Sequence, residues 1–546
     1  MSASGEETTP GWLGHAGRFG GLVLFLIIWL SPGPEGLNPA AQRLAAVAVL
    51  MAAYWTTQAL PIAATSLLPL VLFPLLGIES ARNVSQAYLS DSSFLYLGGF
   101  VVALGIERWG LHRRIALHVV ARVGSGPRQL VLGFLTATFG LSMWISNTAT
   151  TLLMLPIAMA MLAALETAAA EGRERDVGID RRNFEHLAQS VLLATAYAAS
   201  IGGFTTLVGT PTNIAFAEIW QRQFPDEPSF SAGQWILMWL PFGLIMMFVT
   251  WGLLCWNLKT PTGFERLGKD FFRERLRQLG TPTTGERWMM VMFGLLATLW
   301  VSRTGLTLGE TPFIPGWNQW AAAWLESLGT DGKKLGDYIN DSTVGMGIAL
   351  LMFAIPVHRS PAGHVEWLMD WTTVQRLPWG ILFLFGGGFA VAGAFETTGL
   401  ATWTGSLVSS TWKDQSDGIL VLSSAFMMTF LTEFTSNVAT VNAILPILSG
   451  VAESLQVDPR MLLIPAAISA SCGFMLPAGT PPNAIVFGSG RVRIGSMVSY
   501  GLVLNLLGVV LMAAYVLLVL VPVWGWGKEP PKPVLPDTPT VSRPAS

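Results

Sequence analysis

Charge is what this 546-residue chain has least of. Asp, Glu, Lys and Arg make up 12% of it, against roughly 25% in soluble domains. That excludes an ordinary soluble domain. The 51% of hydrophobic residues gather into uncharged runs of about 20 to 35, which reads as an all-α polytopic membrane protein. Cysteine is nearly absent: Cys255 and Cys472 both sit in apolar segments, excluding a disulfide framework and a thiolate metal site. The histidines, at 15, 112, 118, 186, 358 and 364, lie in or beside charged loops. With no zinc or nucleophile-histidine constellation, neither an enzyme nor a resident cofactor is expected. A net charge of -2 says nothing about an acidic or basic partner, and no basic-aromatic cluster suggests nucleic acid, so none is expected.

What is present is a stretch that occurs twice. The first copy is Ser142-Met143-Trp144-Ile145-Ser146-Asn147-Thr148, followed by Pro156, inside the charge-free run 129–165. The second is Thr432-Glu433-Phe434-Thr435-Ser436-Asn437-Val438, followed by Pro446, inside 418–452, where Glu433 is the only charge. As one straight helix, about 35 residues would measure over ~50 Å, against a hydrocarbon core of about 30 Å. Two full spans would need about 40 apolar residues and a turn. Each run is therefore expected to be a re-entrant hairpin turning at mid-depth, where non-helical backbone is tolerated only beside protein or a watery cavity.

Further spans are expected at 19–30, 44–57, 60–78, 94–106, 235–256, 288–301, 344–357, 379–395 and 502–523. The first is short enough for a signal-peptide core but lacks a small-x-small cleavage site, so it reads as a transmembrane helix. Arg108, Arg113, Arg114, Arg122 and Arg128 crowd one connection, which predicts an interfacial amphipathic helix on the cytoplasmic side. Segments 166–185, 259–287 and 302–341 read as loops, the second basic and cytoplasmic, the third acid-rich and outside. Segment 397–417 reads as an outer interfacial helix.

Two uncharged segments are interrupted, 188–217 by Gly209-Thr210-Pro211-Thr212-Asn213 and 461–490 by Gly479-Thr480-Pro481-Pro482-Asn483. Proline removes a backbone donor and glycine loosens the turn before it, so both helices are expected to break. Gly98-Gly99-Phe100, Glu107 and Gly110-Leu111 match residues 289 further on, Ser146-Asn147 and Pro156 match at 290, and the Gly-Thr-Pro-x-Asn breaks match at 270. The halves are a duplication. The span count between matched segments is odd and the flanking charges differ, so the repeats are inverted, which points to a transporter site at the midplane. Neither 129–165 nor 418–452, nor either interrupted segment, contains the basic residues that would hold an anion. Helix N-termini at the breaks suit a carboxylate or oxyanion, and hydroxyls, amides and freed carbonyls suit Na⁺.

These motifs resemble the divalent anion/sodium symporter family, the di- and tricarboxylate and sulfate carriers, over about residues 18–525. The resemblance implies about eleven transmembrane helices plus two re-entrant hairpins, a homodimer, and an elevator motion. It implies one sodium site at Ser142, Ser146, Asn147 and Gly209, and another at Thr432, Thr435, Asn437 and Gly479. The substrate would meet Asn147, Thr148, Asn437, Thr480 and Pro481, with Ser146, Ser436, Val438, Thr210 and Pro211 beside them. Val438 stands where several members have Thr, which bears on substrate identity. On this reading 1–17 is a polar tail, 18–128 and 288–417 are scaffold, 129–256 and 418–525 are transport regions, 257–287 is a cytoplasmic loop and 526–546 is a disordered tail. The N-terminus would be cytoplasmic and the C-terminus outside, in the cytoplasmic membrane.

The expected function is sodium-coupled symport of C4-dicarboxylates such as succinate, malate or fumarate. A sodium-independent dicarboxylate exchanger, a citrate or sulfate carrier, and a sodium/proton antiporter are the alternatives. Glu433 is ionisable inside the membrane and bears on the last, but its counterpart is Met143, so a structural hydrogen bond near the second tip is the competing role. Ser, Asn and Thr can also merely bond neighbouring helices, a reading weakened by two copies each followed by a proline. Gly98-Gly99 and Gly386-Gly387-Gly388 read as close helix packing.

Overall fold

Helix starts follow capping residues and prolines. The computed structural model describes residues 12–124, 126–170, 181–258, 264–308, 311–329, 338–359, 365–413 and 415–527. Helices α1 (Trp12–Leu30) and α2 (Pro39–Thr57) pack together, and Gln42 Nε2 donates to the Ile28 and Ser31 carbonyls, both at 2.8 Å. The expected span 60–78 is instead α3 (Ile62–Thr65) and α4 (Leu68–Leu75), because Pro61, Pro69 and Pro74 each withhold a helix donor. After α5 (Ala81–Ala87) come α6 (Asp91–Arg108) and the amphipathic α7 (Leu111–Val123).

The first repeated run is a helix-turn-helix, α8 (Pro127–Ser142) and α9 (Asn147–Ala170), and the first interrupted segment is α10 (Arg181–Phe204) and α11 (Pro211–Gln223). Helix α9 continues past the charge-free run into an alanine-rich stretch of high helix propensity, so the expected loop 166–185 is helical at both ends. Next come α12 (Ala232–Cys255), α13 (Phe264–Leu279) inside the expected loop 259–287, and α14 (Thr284–Ser302).

The chain is not wholly helical. Strands β1 (Gly305–Leu308) and β2 (Thr311–Pro315) pair antiparallel, as do β3 (Pro356–Arg359) and β4 (Val365–Trp367). With α15 (Trp317–Ser327) they organise segments that read as loops. Between and after them lie α16 (Asp341–Phe353), α17 (Trp371–Val374), α18 (Trp379–Thr397) and α19 (Leu400–Trp412). The second repeated run is α20 (Asp417–Leu431) and α21 (Asn437–Leu455), and the second broken helix is α22 (Arg460–Ser469) and α23 (Pro481–Gly488). The last helix, α24 (Ile494–Tyr515), continues through a π-turn at Val516–Leu520 to Trp524. Most of the tail read as disordered lies outside the described residues.

Among the described residues, seven helices are long and apolar enough to cross a bilayer: 81–108, 147–167, 182–204, 232–255, 379–397, 437–455 and 494–524. Two are α9 and α21, the helices that follow the Ser-Asn steps of the two repeated runs. Glycines allow close packing as expected: a Cβ on Gly98 would lie 2.6 Å from the Gly345 backbone, where α6 meets α16.

The halves interlock. Helix α11 of the first half packs on α21 and α22 of the second, and α23 of the second packs on α9 and α10 of the first. At the ends of this exchange Arg491 pairs with Glu166 at 2.9 Å and Arg493 with Glu185 at 2.7 Å. Each repeated run is thereby tied to the broken helix of the opposite half.

Candidate functional site

The two breaks meet. Thr212, in the first turn of α11, and Ser471, in the second break, are fully buried and share a hydrogen bond of 2.8 Å. Pro211 and Pro481 begin the helices after the breaks because a first-turn residue needs no intrahelical donor. Thr210 and Thr480, just before them, are extended (φ -139° and -142°), and neither side chain caps its helix. The Thr480 hydroxyl is buried without a partner among the described residues. First-turn N–H groups and a free hydroxyl are thus left at the breaks, an arrangement that suits an anion.

The asparagines of the two breaks stitch the unwound backbone. Asn213 Nδ2 donates to the Phe204 and Thr206 carbonyls at 3.0 and 2.7 Å, and Asn483 Nδ2 donates to those of Gly473 and Leu476 at 3.0 and 3.1 Å. Both Oδ1 atoms are buried and unpartnered among the described residues. The Phe204 carbonyl also accepts the Trp235 indole N–H at 3.0 Å.

At each hairpin tip the same three oxygens gather. Ser142 Oγ lies 2.7 Å from both Asn147 Oδ1 and the Ala199 carbonyl. Thr432 Oγ1 lies 2.6 Å from Asn437 Oδ1 and 2.9 Å from the Ala470 carbonyl. One hydroxyl proton can serve only one of two acceptors, so each cluster holds spare lone pairs of the hard-oxygen kind that binds alkali cations. Gly209 adjoins the first cluster: a Cβ there would lie 2.4 Å from the Gly203 carbonyl and 2.9 Å from that of Ser142. A Cβ on Gly203 would lie 2.2 Å from Asn147 Oδ1. Gly209→Ala is accordingly expected to cut cation-dependent uptake at least tenfold, since two of the three atoms its Cβ would meet are backbone carbonyls that cannot swing away. Near-normal uptake by that variant would separate Gly209 from the site.

Ser146, Asn147 and Thr148 stand together at the first tip, where Ser146 Oγ accepts the Ala149 N–H at 3.2 Å. Ser436, Asn437 and Val438 stand at the second, where Ser436 makes no such cap. Thr435 turns aside: its hydroxyl donates to the Leu431 carbonyl at 2.8 Å and sits 2.6 Å from Thr440 Oγ1. Gly479 lies against Glu433, 2.6 Å from a would-be Cβ to Oε2.

Glu433 is fully buried and braces the second break. Oε1 accepts the Met475 N–H at 2.8 Å and the Asn505 amide at 2.7 Å, and Oε2 accepts the Leu476 N–H at 2.9 Å. Asn505 Oδ1 in turn accepts the Phe474 N–H at 3.2 Å. The first break is braced differently: Thr206 donates to the Met143 carbonyl and accepts the Gly209 N–H. Sequence reading missed Thr206 and Asn505. Thr206 has no counterpart, since Leu476 stands at the matching position, but a lone Asn in the last apolar span was a usable signal. It also missed the reach of α11 to Arg222, which pairs with Glu218 at 2.8 Å at the end far from the break.

Residues 14–526 match the sodium:sulfate symporter transmembrane region family. The sodium-dependent dicarboxylate transporter SdcS of Staphylococcus saprophyticus is 35% identical over 520 residues, covering 94% of this chain and 93% of that protein. SdcS of Staphylococcus aureus is 34% identical over 528 residues, covering 95% and 94%. Among solved structures, Neisseria gonorrhoeae MtrF superposes with a TM-score of 0.50 over 90% of this chain and 96% of its own, at 13% identity, a likeness of fold alone. A match spanning almost the whole chain, on a helical membrane protein with two duplicated tips and breaks, leaves one assignment: the chain belongs to the sodium:sulfate symporter family, whose members are multi-pass membrane transporters and not enzymes.

Proposed function

We propose that this protein carries C4-dicarboxylates such as succinate, malate or fumarate across the cytoplasmic membrane by symport with Na⁺. The observation that carries the reading is the twice-built oxygen cluster, Ser142 with Asn147 and Thr432 with Asn437, beside uncapped helix starts at Pro211 and Pro481. The names of the staphylococcal relatives support both cargo and ion.

In this reading one sodium binds at Ser142, Ser146, Asn147 and Gly209, the other at Thr432, Asn437 and Gly479, with Thr435 contributing through its backbone. The two carboxylates meet Asn147, Thr148 and Asn437, Thr210 and Pro211, and Thr480 and Pro481, with Ser436 and Val438 at the rim. Bound cations supply positive charge at the tips, where no arginine or lysine stands, so the dianion binds well only after sodium. Two sodium ions and a dianion move no net charge; a third ion would couple transport to voltage at about 2.3 kcal/mol per 100 mV.

Eleven spans and two re-entrant hairpins, N-terminus inside and C-terminus outside, complete the architecture. Regions 129–256 and 418–525 move as an elevator against the scaffold formed by 18–128 and 288–417, in a homodimer. The interlocking of α11 with α21 and of α23 with α9 favours the two transport regions moving as one piece.

The test is uptake of labelled succinate into proteoliposomes. An inward Na⁺ gradient is expected to drive accumulation that an equal K⁺ gradient does not. Uptake indifferent to sodium but dependent on internal dicarboxylate would replace symport with exchange, and stimulation by sulfate or citrate alone would change the cargo.

A further inference from the structure

A cleft of about 420 Å³ lies between α7, α9 and α13, away from the breaks and within the roughly 300–1,000 Å³ usual for ligand sites. Leu152, Pro156 and Ala160 form one wall, on a single face of α9, and Phe271 of α13 faces them. Every lining residue is apolar except Arg113 of α7 and Arg275 of α13.

These two arginines differ from their neighbours. Arg114 turns inward, forks onto Glu286 at 2.8 and 3.1 Å and reaches the Gly280 carbonyl at 2.9 Å, so it is a structural clamp. Arg113 is exposed and makes no hydrogen bond or ion pair among the described residues. Arg275 lies 5.4 Å from the Phe271 ring centroid and, among the described residues, otherwise reaches only Gln278 Oε1 at 3.3 Å. Two guanidinium groups without a carboxylate partner among the described residues, set on apolar walls, call for an anion that carries its own hydrocarbon. A guanidinium is weakly hydrated and matches a phosphate with two parallel donors. Leu152 is 56% exposed, so the wall needs an apolar cover. The surrounding sequence is basic, with seven basic residues against four acidic ones in 259–287, as expected of a segment at an anionic leaflet.

We propose that this cleft binds an acidic phospholipid, its phosphate held between Arg113 and Arg275 and an acyl chain along the Leu152–Pro156–Ala160 face of α9. The lipid then leans on the arm that begins at Asn147, the first tip.

Native mass spectrometry of the purified full chain with phosphatidylglycerol or phosphatidylcholine reads this directly. Phosphatidylglycerol is expected to be retained preferentially. Arg113→Gln with Arg275→Gln is expected to weaken it roughly thirtyfold, leaving the phosphatidylcholine adduct unchanged. Neither substitution removes a bond to a carboxylate, so the fold should hold. Ala160→Trp, which fills the apolar wall and leaves the charges, is expected to displace the lipid as well. Equal retention of the two lipids, undiminished phosphatidylglycerol binding by the double variant, or displacement by millimolar inorganic phosphate overturns the proposal. No transported solute enters this readout, so it stands or falls apart from the transport reading.

Discussion

Sodium-driven dicarboxylate uptake is expected to fall by about 10- to 150-fold when either Asn147 or Asn437 is replaced by alanine, the effect of losing one hydrogen bond to a charged group. Both residues open the second arm of a hairpin, and both place Oδ1 within 2.7 Å of a hydroxyl that it shares with a backbone carbonyl. Alanine removes the oxygen that would face the cation and the N–H₂ that would face a carboxylate, and it leaves the helix start intact. Because the clusters are copies, the two variants should fail to similar degrees. Asn147→Asp separates the two ligands. An added negative charge favours the cation and repels the dianion, so sodium should still stabilise the purified protein against heat while succinate no longer adds to it. Full uptake by either alanine variant, at normal expression, would take that tip out of the site.

Glu433→Ala is expected to be still more damaging, because it removes the fold around the second break. Three donors, from Met475, Leu476 and the Asn505 side chain, would lose their acceptor in a fully buried place. Each orphaned donor costs about 1–3 kcal/mol, so little folded protein should remain. Glu433→Gln keeps the shape and one strong acceptor but points an N–H₂ group at a backbone N–H. That variant should fold with a lowered melting temperature and require more sodium for half-maximal uptake. The same pair of variants decides the proton question. A carboxylate occupied by three donors is a brace, so succinate uptake should proceed without proton movement in the wild type. A dye-detected proton flux on adding Na⁺ alone, lost in Glu433→Gln, would instead make Glu433 a proton carrier.

Much of the architecture was legible in the chain. Pro211 and Pro481 marked where each broken helix resumes, since a first-turn residue needs no intrahelical donor, but the unwound stretches begin upstream, at Thr205 and Ala470. The Ser-Asn steps at 146–147 and 436–437 marked where a new helix starts within each run, because polar residues amid a long apolar run have few other places to go. Less legible was anything set by accumulation of small local effects. The segment 60–78 has the hydropathy of a span, yet its prolines divide it. The loops around 305–315 and 356–367 carry paired strands whose register depends on partners rather than pattern.

By itself the sequence determined where the helices resume after each break and which polar groups would be stranded there, because prolines, hydroxyls and the scarcity of charge act locally. Only the tertiary structure decided which of those groups meet. Thr212 finds Ser471 across 259 positions, and Glu433 finds Asn505 across 72. Buried donors and acceptors must find partners wherever the packing of the two halves brings them, and a one-dimensional pattern carries no record of that choice.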